Sequence, residues 1–577
     1  MAASPQALST LGPAARERNL HRLEAEQFDV VVIGGGITGV GCALDAASRG
    51  LSVALVEQRD IAAGTSSRSS KLIHGGLRYL EQLDFGLVRE ALGERSLMLR
   101  SLCPHLVRPV SFLYPLRHRV WERPYVGAGI ALYDLLAASG NNPLPGHRHY
   151  TRQGASHLAP ALRADRFTGA VRYWDAQVDD ARHSVAVART AAANGAVLLT
   201  SARVVGVHQT GPDRRAHGIE VADLETGATI DVQARTVINA TGVWTDSIQD
   251  MVGRADLKVR ASKGIHLIVR REKIPSHTGL ILRTEKSVLF VIPWGVHWII
   301  GTTDTDWDLD LAHPAASRRD VDYLLSRLNE LLIDPLEPED IVGVYAGLRP
   351  LLHGESETTS KLSREHAVSE PVPSFFTVAG GKYTTYRVMA ANTVDAVCER
   401  LGVSNGSVTD EIPLIGAPGW EWARNRRAEL ARTHGMSIAA VDHLLGRYGG
   451  EVDEVFALIE DDPELATPLP GDPRYLQAEI RRAVTHEGAL HLSDVLTRRT
   501  RISIEAEDRG LAAAEVVGRV MGQTLGWTEK DIERELWHYR ARVDAERDAQ
   551  KQPDDHTADA ARLGAPDVRT GQGGDLV

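Results

Sequence analysis

The first hydrophobic run of the chain is followed by a glycine-rich turn and by a change in the period of the apolar residues. Residues 28–33 form an almost continuous apolar and β-branched run, which is typical of a buried parallel strand. Residues 37–49 then carry helical spacing and end at Gly50, and residues 51–56 form a second apolar run. The pattern therefore predicts a strand, a helix and a second strand, as in one βαβ unit of a parallel sheet.

The turn between the first strand and the helix has the spacing G-x-G-x-x-G, with glycines at Gly34, Gly36 and Gly39. The first glycine permits a tight turn, the second lets a pyrophosphate approach the backbone, and the third lets the helix pack on the strand. The N-terminus of the helix, at Ile37 and Thr38, offers N–H groups and a partial positive charge to phosphates. These features predict a dinucleotide site.

Glu57 ends the second predicted strand, eighteen residues after Gly39. A carboxylate at this place binds the ribose hydroxyls of an adenosine. The glycine motif lies near the N-terminus and does not recur, so a separate nicotinamide domain is not predicted. FAD is therefore the predicted dinucleotide. A glycine-rich turn beside a structural acid is the alternative.

Two later segments fit the same cofactor. An apolar strand at 236–239 leads into Ala240 and Gly242, which are small enough to lie beside a flavin nucleotide. Another strand is followed by Gly381, Lys382 and Tyr383 and then by a helix from about 384. A helix N-terminus at the pyrimidine end of a flavin would stabilise the reduced, anionic ring.

The most polar stretch of this region is GTSSRSSKLIHGGLRYL, at 64–80. It directly follows the second strand, where the chain returns toward the pyrophosphate and the flavin. We expect hydroxyl groups here to donate to phosphate and ribityl oxygens, a lysine to neutralise charge, and glycine to let the backbone pass close to the ring. The residues predicted to do so are Thr65, Ser66, Ser69, Ser70, Lys71 and Gly75. A serine-rich linker is the alternative, but an apolar helical pattern follows at once.

Lysine is rare in this chain, and arginine outnumbers it 56 to 9. Three of the lysines, Lys71, Lys263 and Lys382, lie in glycine- or serine-rich motifs. This clustering indicates sites that require a compact ammonium group rather than the planar fork of arginine.

Composition narrows the class of protein. A chain of 577 residues is long enough for two or three domains, and 43% hydrophobic residues with 24% charged residues are typical of a soluble globular protein. The net charge of -11 argues against nucleic acid as a partner and against an RNA-modifying enzyme. Cys42, Cys103 and Cys398 form no CxxC, so neither a dithiol centre nor a metal site is predicted. No apolar stretch is long enough for a transmembrane helix.

Five segments together resemble the FAD-dependent glycerol-3-phosphate dehydrogenases of the bacterial aerobic type. They are VIGGGITGVGCALDAASRGLSVALVE, GTSSRSSKLIHGGLRYLEQLDFGLVREALGER, VIPWGVHWIIGTTDTDW, VYAGLRPLL and GGKYTTYR. The resemblance runs from about 28 to 540. It implies oxidation of sn-glycerol 3-phosphate to dihydroxyacetone phosphate, with hydride passing from C2 to FAD and electrons passing to a membrane quinone. It also implies a cytoplasmic homodimer in peripheral contact with the inner face of the cell membrane.

The fold that the resemblance implies is α/β: a Rossmann-like FAD-binding domain interleaved with an antiparallel-sheet substrate-capping domain, followed by a helical C-terminal domain. The expected FAD-binding pieces are 28–110, 175–260 and 340–405, the cap pieces are 111–174 and 261–339, and the helical domain is 413–545. Residues 1–27 are predicted to be a disordered extension, because they lack the apolar block of a secretory signal and their acidic residues argue against a transit peptide. Residues 546–577 are predicted to be a disordered tail, because they are polar and rich in Asp, Gln and Gly.

The resemblance also assigns residues to the substrate. Those expected to bind its phosphate and hydroxyls are Arg78, Tyr79, His266, Arg349, Arg364 and Lys382. A doubly charged phosphate needs two or more cations, and the arginine fork matches its oxygens. Hydride removal from a secondary alcohol also needs a base for the hydroxyl proton, and His266 has a suitable intrinsic pKa.

Several alternatives stay open at this stage. His266 could be a structural histidine of its strand, and Arg349 could either stabilise a developing alkoxide or anchor the phosphate. Asp304 could orient a site group or form a turn. The segment 115–140 has basic and aromatic residues before an apolar run, which suits a membrane surface or a helix packed on the cap.

Other enzymes of similar construction also remain as hypotheses. An oxidase that passes its electrons to oxygen would use the same site. An amine-oxidising flavoenzyme would need arginine for a carboxylate, but not the additional Arg and Lys that suit a phosphate. A non-catalytic FAD protein is disfavoured, because idle charges near a buried site are costly.

Overall fold

The structure is a computed structural model, and it describes residues 9–80, 84–118, 120–138, 142–283, 288–353 and 366–569. Within these residues the chain forms two large sheets and a helical C-terminal region. The predicted α/β fold, with two interleaved sheet-containing parts and a helical C-terminal region, is confirmed.

In the described part of the chain, the first sheet has eight strands. Its central strands are parallel and almost fully buried, which explains why the sequence shows continuous apolar runs instead of alternation. In spatial order the main path is His366–Val372, Phe375–Gly380, Thr229–Asn239, Gln27–Ile33, Val53–Val56 and Val197–Leu199, and the hairpin Ala202–Thr210 and Arg215–Asp223 pairs beside Thr229–Asn239. Its helices are Pro13–Ala25, Ile37–Ser48, Asp180–Ala193, Thr245–Val252 and Tyr386–Leu401.

The second sheet is largely antiparallel, with ten strands among the described residues. Helix Arg318–Asn329 packs its leucines on one face, and helix Glu122–Ala138 packs on the other. In spatial order the main path is Thr305–Trp307, Val259–Arg270, His297–Gly301, Val288–Trp294, Gly279–Arg283, Arg108–Leu116, Gly169–Gln177 and Leu72–Ile73, with Ile341–Leu352 and Arg148–Thr151 at its sides. Phe85–Leu97 and Arg152–Leu158 are its other helices.

Two strands lie in a different sheet from the one expected. Ile341–Leu352 and Leu72–Ile73 fall inside the predicted FAD-binding pieces, but both belong to the second sheet. Ile341–Leu352 forms a long antiparallel ladder with Val259–Arg270, from Val259 opposite Leu352 to Val269 opposite Ile341. The pairing partner of a strand lies far away in sequence, so the local pattern could not reveal it.

The C-terminal region packs its own hydrophobic core. Thr528 and Asp531 form a capping box at the start of its longest helix. Its helices are Trp420–Asn425, Arg427–Thr433, Ile438–Tyr448, Val452–Asp461, Gln477–Thr485, Leu492–Asp494, Ile502–Glu505, Leu511–Leu525 and Glu529–Ala549, beside the hairpin Pro468–Leu469 and Asp472–Leu476. None of the helices in the described ranges is long and apolar enough to cross a bilayer.

The prediction of disorder at both ends is wrong for the residues that the structure describes. Pro13–Ala25 is a helix whose Leu23 is buried against the first sheet. Asp555–Leu563 is a helix in the predicted tail, and beyond it Arg569 is buried and pairs with the Asp494 carboxylate at 3.0 Å. Polar composition was misleading here, because the charged side chains are held by buried partners.

Candidate active site

A cavity of about 440 Å³ lies between the two sheets. One wall is built by turns at the carboxyl ends of the parallel strands, where ligands of such sheets bind. The opposite wall includes His266 and Arg349, which come from paired strands of the second sheet. The predicted cofactor residues on the wall are Gly34, Gly36, Ile37, Thr38, Glu57, Thr65, Ser66, Ser69, Ser70, Ala240, Gly242, Gly381, Lys382 and Tyr383.

The glycine-rich turn has the geometry expected for a close approach. Gly34 has φ +110°, and a Cβ there would lie 2.8 Å from the carbonyl oxygen of Ala240. A Cβ at Gly39 would lie 2.0 Å from the carbonyl oxygen of Gly34, so the helix could not pack on the strand. Gly36 caps helix Ile37–Ser48, whose N-terminus faces the cavity. This arrangement suits a pyrophosphate.

Glu57 lies on the cavity wall with its carboxylate fixed by the backbone. Its Oε2 accepts a hydrogen bond from the N–H of Gly35 at 2.6 Å, and its Oε1 accepts one from the N–H of Arg59 at 2.8 Å. Burial raises the pKa of Glu57, and these hydrogen bonds oppose the rise. Each oxygen keeps a further lone pair, which is what binding a ribose hydroxyl requires.

The hydroxyls of the polar stretch line the cavity and also join the two domains. Thr65 Oγ1 donates to the carbonyl oxygen of Leu348 at 2.6 Å, and Ser66 Oγ accepts from the N–H of Ile37 at 2.9 Å. Ser69 Oγ donates to the Asp180 carboxylate at 2.7 Å. Ser70 Oγ lies 2.8 Å from Nε2 of His266. The stretch was expected to serve the cofactor alone, but it also fixes the position of one sheet against the other.

Lys71 and Gly75 do not line the cavity, contrary to expectation. The Lys71 ammonium is fully buried, pairs with the Asp180 carboxylate at 2.8 Å and donates to the carbonyl oxygen of Ser67 at 3.1 Å. Gly75 packs instead against Tyr133, whose hydroxyl accepts from the Gly75 N–H at 2.8 Å. The left-handed backbone at Lys71, with φ +58°, turns the chain and separates it from Ser70.

His266 is buried at the end of the cavity that the second sheet forms. Its ring stacks on Tyr345, with centroids 4.7 Å apart and planes 13° apart. Its Nδ1 has no hydrogen-bond partner among the residues that the structure describes. Burial, then the charges of Arg349 and Lys71, hold the pKa of His266 well below its usual value. The ring is therefore neutral at neutral pH and able to accept a proton.

Arg349 is held in a fixed orientation beside this histidine. Its Nη2 donates to Thr302 Oγ1 at 3.1 Å and to the carbonyl oxygen of Thr303 at 3.2 Å. Its Nη1 lies 3.6 Å from the Asp304 carboxylate, which also accepts a hydrogen bond from the hydroxyl of Ser262. Asp304, left open between a turn and an orienting role, thus contacts the guanidinium.

The turn at Gly381 completes this end of the cavity. Gly381 has φ +75°, and a Cβ there would lie 2.4 Å from the sulfur of Met389 in the following helix. Tyr383 donates to the carbonyl oxygen of Asp180 at 2.7 Å and lies 3.0 Å from Nδ1 of His183. Lys382 lies between them in the chain and also lines the cavity. A neutral base and several cations therefore border the cavity, and Arg349 and Lys382 are the cations that were predicted.

Comparison with known proteins identifies the family. The family model of FAD dependent oxidoreductases matches residues 29–384, and that of the C-terminal domain of alpha-glycerophosphate oxidase matches residues 407–532. The chain is 55% identical over 563 residues to glycerol-3-phosphate dehydrogenase 2 of Mycobacterium tuberculosis, which covers 97% of this chain and 96% of that protein. It is 35% identical over 546 residues to the mitochondrial glycerol-3-phosphate dehydrogenase of Mus musculus, which covers 91% of this chain and 74% of the mouse protein.

A solved structure agrees with these relatives. The glycerol-3-phosphate dehydrogenase from Bacillus halodurans complexed with FAD superposes with a TM-score of 0.77 at 28% identity, covering 92% of this chain and 98% of that one. The chain belongs to the FAD-dependent glycerol-3-phosphate dehydrogenases. The predicted family and the predicted cofactor, FAD, are confirmed.

The cavity of this dehydrogenase fits FAD in its donors and in its steric openings. The N-terminus of helix Ile37–Ser48 suits the pyrophosphate, and the fixed carboxylate of Glu57 suits the ribose. A Cβ at Gly242, where φ is +61°, would meet no atom within 4 Å. That opening on the wall leaves room for a flat ring to lie against the backbone.

Three of the residues predicted to bind the substrate have side chains outside the described part of the structure, and some arginines on the cavity wall were not predicted. Arg364 falls in 354–365, outside the described residues, and the side chains of Arg78 and Tyr79 are likewise not described, although their backbone lies in the short helix Leu77–Leu80. Arg59 and Arg68 line the cavity and were not predicted. Arg68 stands in the middle of TSSRSS, so its position among the hydroxyls was an available signal.

Proposed function

We propose that this chain oxidises sn-glycerol 3-phosphate to dihydroxyacetone phosphate, with the electrons passing on to a membrane quinone. One observation carries the proposal: a single cavity is lined by the dinucleotide turn at Gly36, by a neutral His266 and by the cations Arg349 and Lys382. Cations at this end suit a phosphate dianion, and a neutral histidine suits removal of a hydroxyl proton.

The phosphate is assigned to the cations of this end of the cavity. Arg349 and Lys382 lie on its wall, and the resemblance to the family adds Arg78, Tyr79 and Arg364. The fork of Arg349 is held by Thr302 and Thr303, so its position on the wall is fixed before the substrate binds. Arg349 can equally stabilise the negative charge that develops on the substrate oxygen, because it lies near His266.

The hydroxyl proton is assigned to His266. FAD, when bound, supplies the acceptor for the hydride that leaves C2 of the substrate. His266 lines the cavity, and the hydroxyl of Ser70, which also lines it, is within hydrogen-bond distance of Nε2. Burial and the neighbouring cations disfavour a charged imidazolium, so the histidine gives up its proton readily after the reaction.

Anaerobic reduction of the bound flavin tests the substrate. The FAD-loaded protein is mixed with sn-glycerol 3-phosphate without oxygen, and the band of oxidised flavin near ~450 nm is followed. We expect bleaching by this substrate and none by glycerol, by the mirror-image phosphate or by an amino acid. A protein that retains FAD and is not bleached by sn-glycerol 3-phosphate contradicts the proposal.

An oxidase that uses oxygen is the second candidate. The family model that matches residues 407–532 is described by an alpha-glycerophosphate oxidase, which keeps this alternative in view. The relatives are named dehydrogenases and not oxidases, and the quinone is what the resemblance to the family implies. Reoxidation of the reduced protein by air or by a quinone analogue, with hydrogen peroxide measured in parallel, separates the two. One peroxide per substrate at a rate equal to turnover supports the oxidase.

We also propose peripheral contact with a membrane on the cytoplasmic side, through the start of helix Glu122–Ala138. Val120, Trp121 and Tyr125 are exposed there, at 84%, 53% and 53% of their surfaces. The rings of Trp121 and Tyr125 lie 6.1 Å apart, and Arg117 is exposed beside them. Aromatic and basic side chains together suit the headgroup zone. The homodimer stays a prediction of the resemblance.

A further inference from the structure

A second, smaller cavity of about 60 Å³ lies behind the wall of the active-site cavity. Arg68 borders both cavities. The smaller cavity is formed where the polar stretch, the loop before helix Arg318–Asn329, helix Glu529–Ala549 and tail helix Asp555–Leu563 meet. Its charged and ionisable lining residues are Arg68, His313, Arg501, Arg542, Glu546 and Arg562.

Positive charge exceeds negative charge around this cavity. Arg501 is neutralised by Asp179 and Asp180. Arg542 and Arg562 share one carboxylate, that of Glu546, at 2.9 Å and 3.8 Å.

Arg68 adds a further cation to this set. It donates to the carbonyl oxygen of Ala312 at 3.5 Å, and no carboxylate among the described residues lies within ion-pair distance of it. These three arginines therefore border the cavity, whose lining contains one carboxylate, that of Glu546. The carboxylates of Asp310 and Asp567 lie outside the lining and act on Arg562 through their charge.

Burial and the surrounding positive charge lower the pKa of two lining residues, Arg68 and His313. Burial, followed by the charges of Arg59 and Arg542, lowers the pKa of Arg68 to about 9. Burial, followed by the charge of Arg562 and other arginines, holds the pKa of His313 far below its usual value. Burial is the larger cause of both shifts and the neighbouring positive charges add to it; a bound anion would offset the second cause.

A neutral donor completes the site. Ser503 lines the cavity and is 5% exposed, and its hydroxyl has no hydrogen-bond partner among the described residues. A buried hydroxyl without a partner is unfavourable, and a bound oxyanion would accept its hydrogen bond. The volume is that of a few water molecules, which matches a small ion and not a nucleotide.

We propose that this cavity binds a small tetrahedral oxyanion of the phosphate class, held by Arg68, Arg542 and Arg562 and by the hydroxyl of Ser503. The site is separate from the one that holds the substrate. Because Arg68 borders both cavities, an anion here withdraws positive charge from the active-site wall and weakens binding of a dianionic substrate.

Binding of radiolabelled inorganic phosphate to the full FAD-loaded chain tests the site by equilibrium dialysis. We expect one phosphate per chain that is lost in Arg562→Gln, with affinity falling at least about tenfold because a charge-assisted hydrogen bond is removed. Arg519→Gln is the matched control, since Arg519 lies in the same helical region with a side chain 68% exposed. The difference between the two variants does not depend on phosphate bound at the substrate site.

Ser503→Ala is the second variant, in case Arg562→Gln loses its fold. It removes only the neutral donor, and we expect affinity to fall about fivefold. Competition identifies the source of the ligand: displacement by inorganic phosphate but not by phenyl phosphate indicates a free ion, and displacement by both indicates the phosphoryl group of a larger molecule. Unchanged phosphate binding in a folded Arg562→Gln or in Ser503→Ala, or equal competition by chloride, overturns the proposal.

Discussion

Ser70 Oγ lies 2.8 Å from Nε2 of His266, and both residues line the cavity. The other ring nitrogen, Nδ1, is buried and has no hydrogen-bond partner among the described residues. We therefore expect Nε2 to be the nitrogen that accepts the proton of the substrate. Ser70 therefore either orients the ring or passes on the proton. In both cases the hydroxyl acts on the chemical step more than on binding.

Ser70→Ala is expected to lower the rate of flavin reduction by about tenfold or more, with little change in KM. The substitution removes the hydroxyl that orients the His266 ring or passes on its proton at Nε2, while the cations proposed to bind the phosphate remain. Stopped-flow reduction under anaerobic conditions measures this rate. Ser70→Thr keeps the hydroxyl and should retain most of the rate. Equal losses in both variants would point to packing instead.

The pKa of His266 makes a prediction about pH. Because this pKa is lowered, the neutral base persists as pH falls below ~6.5, and the acid limb of kcat/KM should lie below that value. After burial, the charge of Arg349 is the largest cause of the lowering. In Arg349→Gln the histidine should hold its proton to higher pH, so the acid limb should move upward.

Arg349→Lys is the control for this shift. It keeps the positive charge and should leave the acid limb in place, while KM rises because the fixed fork to Thr302 and Thr303 is lost. The substrate's own phosphate titration is common to all three proteins and cancels in the comparison. An acid limb that stays in place in Arg349→Gln would mean that His266 is not the titrating base.

The glycine turn shows what the sequence could establish. Gly34 and Gly39 were assigned steric tasks from spacing alone, and the contacts that a Cβ would make agree with them. Ser70 and Lys71 show the limit. They are neighbours in a motif read as one ligand-binding stretch, yet Ser70 faces the cavity and Lys71 pairs with Asp180. Which side a side chain takes depends on backbone dihedrals that no residue pattern specifies.

Ion pairs between residues far apart in the sequence explain why Lys263 and the C-terminal tail differ from the prediction. Lys263 was grouped with Lys71 and Lys382 as a cation for a site, but it pairs with the carboxylates of Asp320 and Asp555. Asp555 belongs to the tail that was predicted to be disordered. Charged residues that would keep an isolated segment in solvent instead hold it in place, because their partners lie hundreds of residues away.

The tail supplies a stability prediction. Arg569→Ala leaves the buried Asp494 with fewer cations and should destabilise the protein by about 3 kcal/mol at neutral pH. Burial opposes ionisation of Asp494, but the charges of Arg569 and then Arg498 hold its pKa far below its usual value. Thermal unfolding of the two proteins measures the difference. Arg519→Ala, at an exposed pair, should change the midpoint little.

The sign of the pH dependence follows from that lowered pKa. A carboxylate whose folded pKa is depressed stabilises the fold above its unfolded pKa of ~3.9 and loses that contribution as pH falls through the folded value. The gap in melting temperature between the parent protein and Arg569→Ala should therefore be full at pH 7 and narrow below about pH 4. A gap that is constant with pH would assign the loss to packing of the arginine stem.

Membrane contact through Trp121 and Tyr125 can be separated from catalysis. The double variant Trp121→Ala/Tyr125→Ala should bind anionic phospholipid vesicles several-fold more weakly in a sedimentation assay, because two interfacial aromatic rings are removed. Reduction of its flavin by sn-glycerol 3-phosphate should be unchanged, since neither residue lines the active-site cavity. Trp537→Ala is the matched control, because Trp537 is 58% exposed on a helix of the C-terminal region. If Trp537→Ala weakens vesicle binding and the double variant does not, the membrane-facing surface lies on the helical domain instead.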